Sequence, residues 1–300
     1  SFHLASKFPG YDLANMPRVE EIFEKQLEKC QVDYFDFYLF HNVCEKNIDA
    51  YLDDEKYGIF SYLVKQKENG RIRHLGFSAH GSYDVLKRFL EAYGGHMEFC
   101  QLQINYLDWN FQKAKENVEL LESYHIPVWV MEPLRGGRLA SLNEEDTARL
   151  HALRPKETVP GWAFRFLQSI PGVTVTLSGM SSLQQLEENI RTFSTEEPLN
   201  AQENDTLLDM AYHMTHTVPC TACHYCTSHC PRELDIPGLI GLYNEHTFSS
   251  GATIDPAVLS SIPEEKRPSA CIGCGACAAV CPQQIKIPDV MKDFCKKLQP

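Results

Sequence analysis

Eight of the twelve cysteines in this 300-residue chain fall into two runs of one spacing: Cys220, Cys223, Cys226 and Cys230, then Cys271, Cys274, Cys277 and Cys281. Each run reads C-x2-C-x2-C-x3-C and is followed by a proline, Pro231 or Pro282. Thiolates are soft ligands that suit zinc, copper and iron–sulfur centres. Three cysteines at i, i+3 and i+6 on a tight turn can reach three irons of one cubane, while the fourth, before proline, points away and serves the other cluster. The spacing therefore assigns one [4Fe–4S] cluster to Cys220, Cys223, Cys226 and Cys281, and a second to Cys271, Cys274, Cys277 and Cys230. Structural zinc takes two C-x2-C pairs and leaves the third cysteine surplus. Disulfides do not form easily between cysteines three apart, and thiols of a reducing compartment stay reduced. Cys30, Cys44, Cys100 and Cys295 read as ordinary small apolar side chains.

The two runs are related as a repeat. Every cysteine of the second lies 51 residues after its counterpart, and the register continues from Ile236-Pro237 to Ile287-Pro288. Such a repeat predicts a duplicated unit around a pseudo-twofold axis. Gly273, Gly275, Ala276 and Ala278 keep side chains small where sulfurs and backbone N–H groups crowd a cluster. Leu239, Ile240 and Leu242 predict one helix, and Val290, Met291 and Phe294 another, so this part is expected to be mainly helical. Only three cysteines precede residue 220. That shift in composition predicts a boundary between residues 200 and 219, with residues 1–200 forming one domain and 201–300 the other.

The first part alternates strands and helices. Strands are expected at Phe2–Lys7, Tyr34–His41, Ile72–Ser78, Phe99–Asn105, Val128–Glu132 and Val173–Leu177. Helices are expected at Pro17–Cys30, Ile59–Glu68, Tyr83–Tyr93, Gln112–Tyr124 and Ser182–Phe193, with more out to Gln168. The first of these carries Val19, Ile22, Phe23, Leu27 and Cys30 at helical spacing. Alternating units of this size predict a parallel sheet covered by helices, in the manner of a (β/α)8 TIM-type barrel. Six units are counted where a closed barrel needs eight, so the barrel is expected to lack two N-terminal units. The open doubly wound sheet is the alternative, and no G-x-G-x-x-G follows any strand to support it. Lys7, His41, Ser78, Asn105, Glu132 and Ser178 sit at the C-terminal ends of the strands, the rim on which barrel active sites are built. Gln101, Gln103 and Asn105 put three amides on one strand face, and buried amides need partners.

The segments Leu4-Ala5-Ser6-Lys7, Leu39-Phe40-His41, Gly70-Arg71-Ile72-Arg73-His74-Leu75-Gly76-Phe77-Ser78, Gln103-Ile104-Asn105-Tyr106, Pro133-Leu134-Arg135-Gly136-Gly137 and Glu187-Glu188-Asn189 resemble the aldo-keto reductases, in order and at family spacing. The cysteine runs are those of bacterial two-cluster ferredoxins, and the whole chain is similar to the ferredoxin-fused branch of that reductase family. The resemblance implies a catalytic role for Lys7, whose charge lowers the pKa of a tyrosine acid, and for His41, which orients and polarises a substrate carbonyl. It implies that Ser78 and Gln103 hold a nicotinamide carboxamide. Leu134, Arg135, Gly136 and Gly137 would cover the pyrophosphate, and Glu188 and Asn189 would meet the adenine end. Backbone N–H groups of a glycine-rich loop suit a pyrophosphate. Three departures stand out. The family's tyrosine and aspartate lie upstream of the lysine strand and are not matched here, so the chain by itself is expected to be a poor carbonyl reductase. The family's basic residues for a 2′-phosphate align with Gly179 and Gln185, which leaves NADP and NAD both open. The clusters are foreign to ordinary members, which exchange hydride directly.

Two functions of different classes follow. One is an NAD(P)-dependent oxidoreductase acting on a small carbonyl or alcohol substrate and passing electrons through two clusters to a redox protein partner. The other is an electron carrier in which only the iron–sulfur domain is active. A net charge of −12 argues against nucleic acid as a partner. No run of about 18 apolar residues predicts a membrane span. The oxygen sensitivity of exposed clusters predicts a cytoplasmic protein.

Overall fold

The computed structural model describes residues 2–215, 218–220, 222–248 and 262–298. The chain divides into two compact units, Ser1–Asp205 and Thr206–Pro300, a division inside the interval where the cysteine content changes.

The first unit is built on six parallel strands: β1 (Ala5–Phe8), β2 (Phe35–Val43), β3 (Ile72–Ala79), β4 (Cys100–Gln103), β5 (Val128–Met131) and β6 (Val173–Thr176). They pair in sequence order, with β1 and β6 at the two edges of the sheet. This is the strand order of a (β/α)8 barrel, with six of its eight strands. Helices α1 (Val19–Cys30), α2 (Ile48–Leu52), α3 (Asp54–Tyr57), α4 (Ile59–Glu68), α5 (Tyr83–Tyr93), α6 (Asp108–Phe111), α7 (Ala114–Ser123), α8 (Glu144–Leu153), α9 (Val159–Gln168) and α10 (Leu183–Phe193) alternate with the strands. Helix α11 (Ala201–Thr215) runs across the division between the units.

Strand register decides which side chains share a face, because successive residues alternate sides. Phe8, Phe40 and Phe77 lie side by side, as do Leu102 and Val130. All five are buried. On this side Phe40 packs edge-on against Tyr51 and Phe89, at 5.5 Å each. Burying each such ring contributes about 1.5–3 kcal/mol. The register places Lys7 beside Leu39 and Gly76, on the other face. Ser78 lies beside Gln101 and Trp129, and Gln103 beside Met131. One face is thus a continuous apolar layer and the other carries the polar groups.

The helices follow their sequence patterns. In α5 Val85, Leu86, Phe89, Leu90 and Tyr93 are buried, the stripe of an amphipathic helix. In α1 Val19, Phe23 and Leu27 are buried, but Cys30 is exposed. The predicted apolar face ends one turn early, because the chain leaves the helix at Gln31 in a left-handed conformation. The predicted start at Pro17 is a 3-10 turn, Leu13–Arg18, and the α-helix begins at Val19. Helix α9 opens on a Thr158 cap and buries Trp162, Phe164 and Phe166. Its buried Arg165 is answered by Glu157 at 3.0 Å and by the Thr195 carbonyl at 2.7 Å.

The second unit is helical, with α12 (Ile236–Phe248), α13 (Ala276–Ala279) and α14 (Ile287–Lys297). Leu234, Ile236, Leu239, Ile240, Ile285, Ile287 and Met291 form its core together with Cys226 and Cys277. The repeat extends to the backbone. Ala222, His224 and Glu233 have positive φ, and so do Gly273, Gly275 and Gln284, each 51 residues on. No helix among the described residues is long and apolar enough to cross a membrane.

Gly76 is where β3 meets the Phe99 ring. A Cβ there would lie 2.6 Å from both that ring and the Phe99 carbonyl. Gly76→Ala is expected to destabilise the first unit by about 1–3 kcal/mol in a urea melt. Gly95→Ala, where a Cβ meets nothing within 4 Å, should stay within about 0.5 kcal/mol of the parent.

Candidate functional site

Parallel strands bring all their C-terminal ends to one edge of the sheet. Lys7 stands near the end of β1 and His41 near the end of β2. Burial lowers the Lys7 pKa. Burial, then the Lys7 charge and then His80, push the His41 pKa down to about 4. At neutral pH His41 is therefore an uncharged imidazole beside a cation. His80 is also lowered, by burial and then by Lys7. The Tyr11 ring stands edge-on to the His41 ring with centroids 5.3 Å apart.

The loops that carry these groups are tied together. The buried Asn47 donates to the Gly10 carbonyl at 3.0 Å and to the Asn42 carbonyl at 2.8 Å. Its own carbonyl accepts the Cys44 N–H at 2.9 Å. Tyr51 donates to the His41 carbonyl at 2.7 Å. Ser78 is fully buried, and its hydroxyl accepts the Asn42 N–H at 2.8 Å. The loops after β1 and β2 and the C-terminal ends of β2 and β3 thus form one braced rim.

Further along, the amides find a partner within the chain. Asp108 has no exposed surface. Its Oδ2 accepts from Gln103 at 2.8 Å and from Asn105 at 2.7 Å. Arg135 Nε lies 3.2 Å from Asp108 Oδ1. Asn105 also donates to the Glu132 carbonyl at 3.0 Å. Gln101 turns to the Met131 sulfur, at 3.3 Å. Arg135, Gly136 and Gly137 have φ of 48°, 64° and 88°, a run of left-handed backbone that two glycines make accessible. The Gly136 N–H donates to the Glu132 carboxylate.

Beside this loop is a cavity of about 490 Å3, walled by the loop and by the start of α10. Leu134, Gly136, Gly137, Glu188 and Asn189 line it. Asn189 donates to the Ser178 hydroxyl at 3.1 Å, and Glu188 accepts from Gln184 at 2.9 Å. Ser78, Gln103 and Arg135 are not among the lining residues. They stand in the braced rim and the Asp108 cluster. Sequence reasoning missed Asp108, Asn47, His80 and Tyr11. Asp108 carried a readable signal: a lone carboxylate in the run Tyr106-Leu107-Asp108-Trp109, directly after three amides that needed partners.

In the second unit the cysteines gather in two sets. Cys220, Cys223, Cys226 and Cys281 line one cavity. Cys271, Cys274, Cys277 and Cys230 line another. Each holds three members of one run and the last member of the other. None of the twelve cysteines is in a disulfide. Among the described residues no group of three or more His, Cys, Asp or Glu side chains converges as ligands of a single ion do. Four soft thiol side chains in each set suit an iron–sulfur centre. Burial first, with neighbouring thiols adding to it, raises the pKa of Cys220, Cys226 and Cys277. Binding iron there must displace protons.

The aldo/keto reductase family model matches residues 4–210. The chain belongs to the aldo/keto reductase family. Residues 219–285 match the model of a 4Fe-4S dicluster domain, so this aldo/keto reductase is an oxidoreductase fused to an iron–sulfur unit. It is 25% identical over 218 residues to the uncharacterized oxidoreductase YqkF of Bacillus subtilis (strain 168), which covers 64% of this chain and 67% of that protein. Its fold is shared with the aldo-keto reductase AKR11C1 from Bacillus halodurans in its holo form. The TM-score is 0.55 at 22% identity, covering 70% of this chain and 72% of that one. It is shared too with an aldo/keto reductase from Klebsiella pneumoniae in complex with NADP and acetate, at TM-score 0.53 and 19% identity over 69% of each chain.

Truncating Asp108 to alanine in this aldo/keto reductase would leave Arg135 buried without its carboxylate. The expected cost is about 3–5 kcal/mol, read as a lower urea midpoint for the first unit.

Proposed function

We propose that this aldo/keto reductase is a nicotinamide-dependent oxidoreductase of a small carbonyl or alcohol substrate that exchanges electrons with two [4Fe–4S] clusters in its second unit. The observation that carries the reading is the pairing of Lys7 with an uncharged His41 at the rim of the sheet, in a chain that also forms two four-cysteine cavities. A dinucleotide held here would supply a hydride, whose two electrons would match the capacity of two one-electron clusters with its proton released to water. NADP and acetate in the Klebsiella pneumoniae relative support a dinucleotide and a small oxygenated substrate.

In this reading Lys7 and His41 act on the carbonyl oxygen. A neutral imidazole donates a hydrogen bond to it without a competing charge, as catalysis at a carbonyl favours. The Lys7 ammonium, held in a partly dry site, stabilises negative charge as it develops there. Asn47, Tyr51 and Ser78 hold the loops in place. The glycine-rich loop offers backbone N–H groups to the dinucleotide, and Glu188 and Asn189 stand at its adenosine end. The proton that completes reduction belongs, by the resemblance, to a tyrosine–aspartate pair that these residues do not match.

Cys220, Cys223, Cys226 and Cys281 would hold one cluster, and Cys271, Cys274, Cys277 and Cys230 the other. The donor set fits, with four soft thiolates per cavity and apolar residues such as Ile240, Ile287 and Met291 around them. Thiolate-held clusters persist in a reducing compartment, and this reading places the protein in the cytoplasm with a redox protein as its electron partner. The electron-carrier reading keeps only this second unit active.

Steady-state oxidation of NAD(P)H with a panel of small aldehydes and ketones distinguishes the two readings. Turnover that falls at least about 100-fold in Lys7→Met, with the iron retained, is expected. Dinucleotide binding with no turnover of any carbonyl would leave the electron-carrier reading. For the clusters, an anaerobically reconstituted protein should hold roughly eight irons. Cys281→Ser should lower that to roughly four and remove the cluster of the first run, not the second. Equal loss of both EPR signals, in a protein that stays folded, would contradict the crossed ligation.

The histidine makes a further prediction. Its pKa of about 4 lies below the ordinary 6.5, so the folded state binds fewer protons than the unfolded one between those values. His41 thus lowers stability as pH falls from 6.5 towards 4, and contributes no pH dependence above 6.5. In an NMR titration Lys7→Met should raise the His41 midpoint but not restore 6.5, because burial remains the larger cause.

A further inference from the structure

The cavity between the glycine-rich loop and α10 has a distinctive charge. Its lining carries two carboxylates, Glu132 and Glu188, and no lysine or arginine. The loop has two guanidinium groups nearby. Arg135 is buried against Asp108, and Arg138, which opens the next turn, is not among the lining residues.

The first amides of α10 could otherwise receive an anion, since helix N-termini do so readily. Here the turn that enters the helix is closed by the chain itself. Ser182 caps the helix through its hydroxyl, which accepts the Gln185 N–H at 3.2 Å. The Gln185 side-chain carbonyl in turn accepts the N–H of Ser181 at 2.8 Å, the N–H of Ser182 at 3.2 Å and the Ser181 hydroxyl at 3.3 Å. Gln185 both lines the cavity and holds the Ser181 and Ser182 amides that precede the helix. An anion in this cavity would sit near two carboxylates.

We infer that this cavity takes the adenosine half of a dinucleotide whose ribose keeps a free 2′-hydroxyl, NAD(H), and discriminates against 2′-phosphorylated NADP(H). The inference rests on the dinucleotide reading above and names which dinucleotide. A phosphate monoester carries close to two negative charges at neutral pH. It needs charge-assisted donors to leave water, and the lining offers none from lysine or arginine. A ribose hydroxyl is a donor, and a carboxylate is the group with which NAD-selective sites read it. Of the lining residues, Glu188 is the carboxylate assigned to that contact here. The same cavity that repels the phosphate can therefore hold the hydroxyl.

The test uses the full chain with its clusters reconstituted, and measures NADH and NADPH binding by calorimetry and by nicotinamide fluorescence. NADH should bind at least about tenfold more tightly, since juxtaposed like charges cost several-fold and more in affinity. The double variant Gly179→Lys/Gln185→Arg supplies two cations. A Cβ at Gly179 meets nothing within 4 Å, so a side chain fits. The variant should gain NADPH affinity, lose much of it in high salt, and reverse the preference. NADPH binding as tight as NADH in the parent would overturn the inference while leaving the dinucleotide reading intact. A folded double variant that still favours NADH would also overturn it, by removing the discrimination from this cavity. Binding of neither nucleotide would overturn the dinucleotide reading itself, and this inference with it.

Discussion

Asp108 has no access to water, so its charge must be met entirely by the protein. It is met from three directions, by Gln103, Asn105 and Arg135. A buried carboxylate left unpaired would cost several kcal/mol, and so these partners have little freedom to be elsewhere. Gln103 belongs to β4, and Arg135 to the loop after β5. One carboxylate therefore locks the end of one strand to the loop that follows the next. Asn105 extends the tie to the Glu132 carbonyl, and the Glu132 carboxylate holds the Gly136 N–H. The left-handed run at Arg135, Gly136 and Gly137 is the shape that this network leaves to the loop, and that shape makes one wall of the 490 Å3 cavity.

The same economy of charge runs through the other sites. At the rim, burial first and the Lys7 charge second push the pKa of His41 and of His80 down. A cation and an uncharged imidazole then share one patch of a sheet whose opposite face is apolar. In the second unit, buried thiols hold on to their protons until a metal displaces them. Charge is admitted to each site only with a partner, or is reserved for a ligand that brings the partner.

Much of this was readable from residue order. All six strands lie within three residues of the expected ends, because parallel strands under helices are written as short apolar runs between helical periods. The crossed cysteine sets were legible because metal ligation constrains spacing so tightly. The family resemblance pointed to Lys7 and His41, and the structure shows the electrostatic setting that spacing could not. What the sequence left open were long-range polar partners. The three amides of Gln101, Gln103 and Asn105 announced a need but not the answer, since Asp108 meets that of Gln103 and Asn105 only after the chain turns back at α6, and Gln101 turns to Met131. Arg135 read as a phosphate ligand from its place in a glycine-rich loop, and its burial against a residue 27 positions earlier is a tertiary fact. The closing of α10 by Gln185 was equally hidden, although Ser182 and Gln185 have the spacing of a capping box. Cys30 is in phase with an apolar stripe, but it is the last residue of α1 and is exposed.

The account holds that hydride chemistry at the rim and one-electron chemistry at the thiols belong to one redox path. An anaerobic titration of the reconstituted chain with NADH, followed by visible absorbance and EPR, tests this directly. The account predicts bleaching of the cluster absorbance and the appearance of reduced-cluster signals, with about one NADH consumed per two clusters, as the electron count of a hydride requires. Clusters that dithionite reduces but saturating, demonstrably bound NADH leaves oxidised would contradict it.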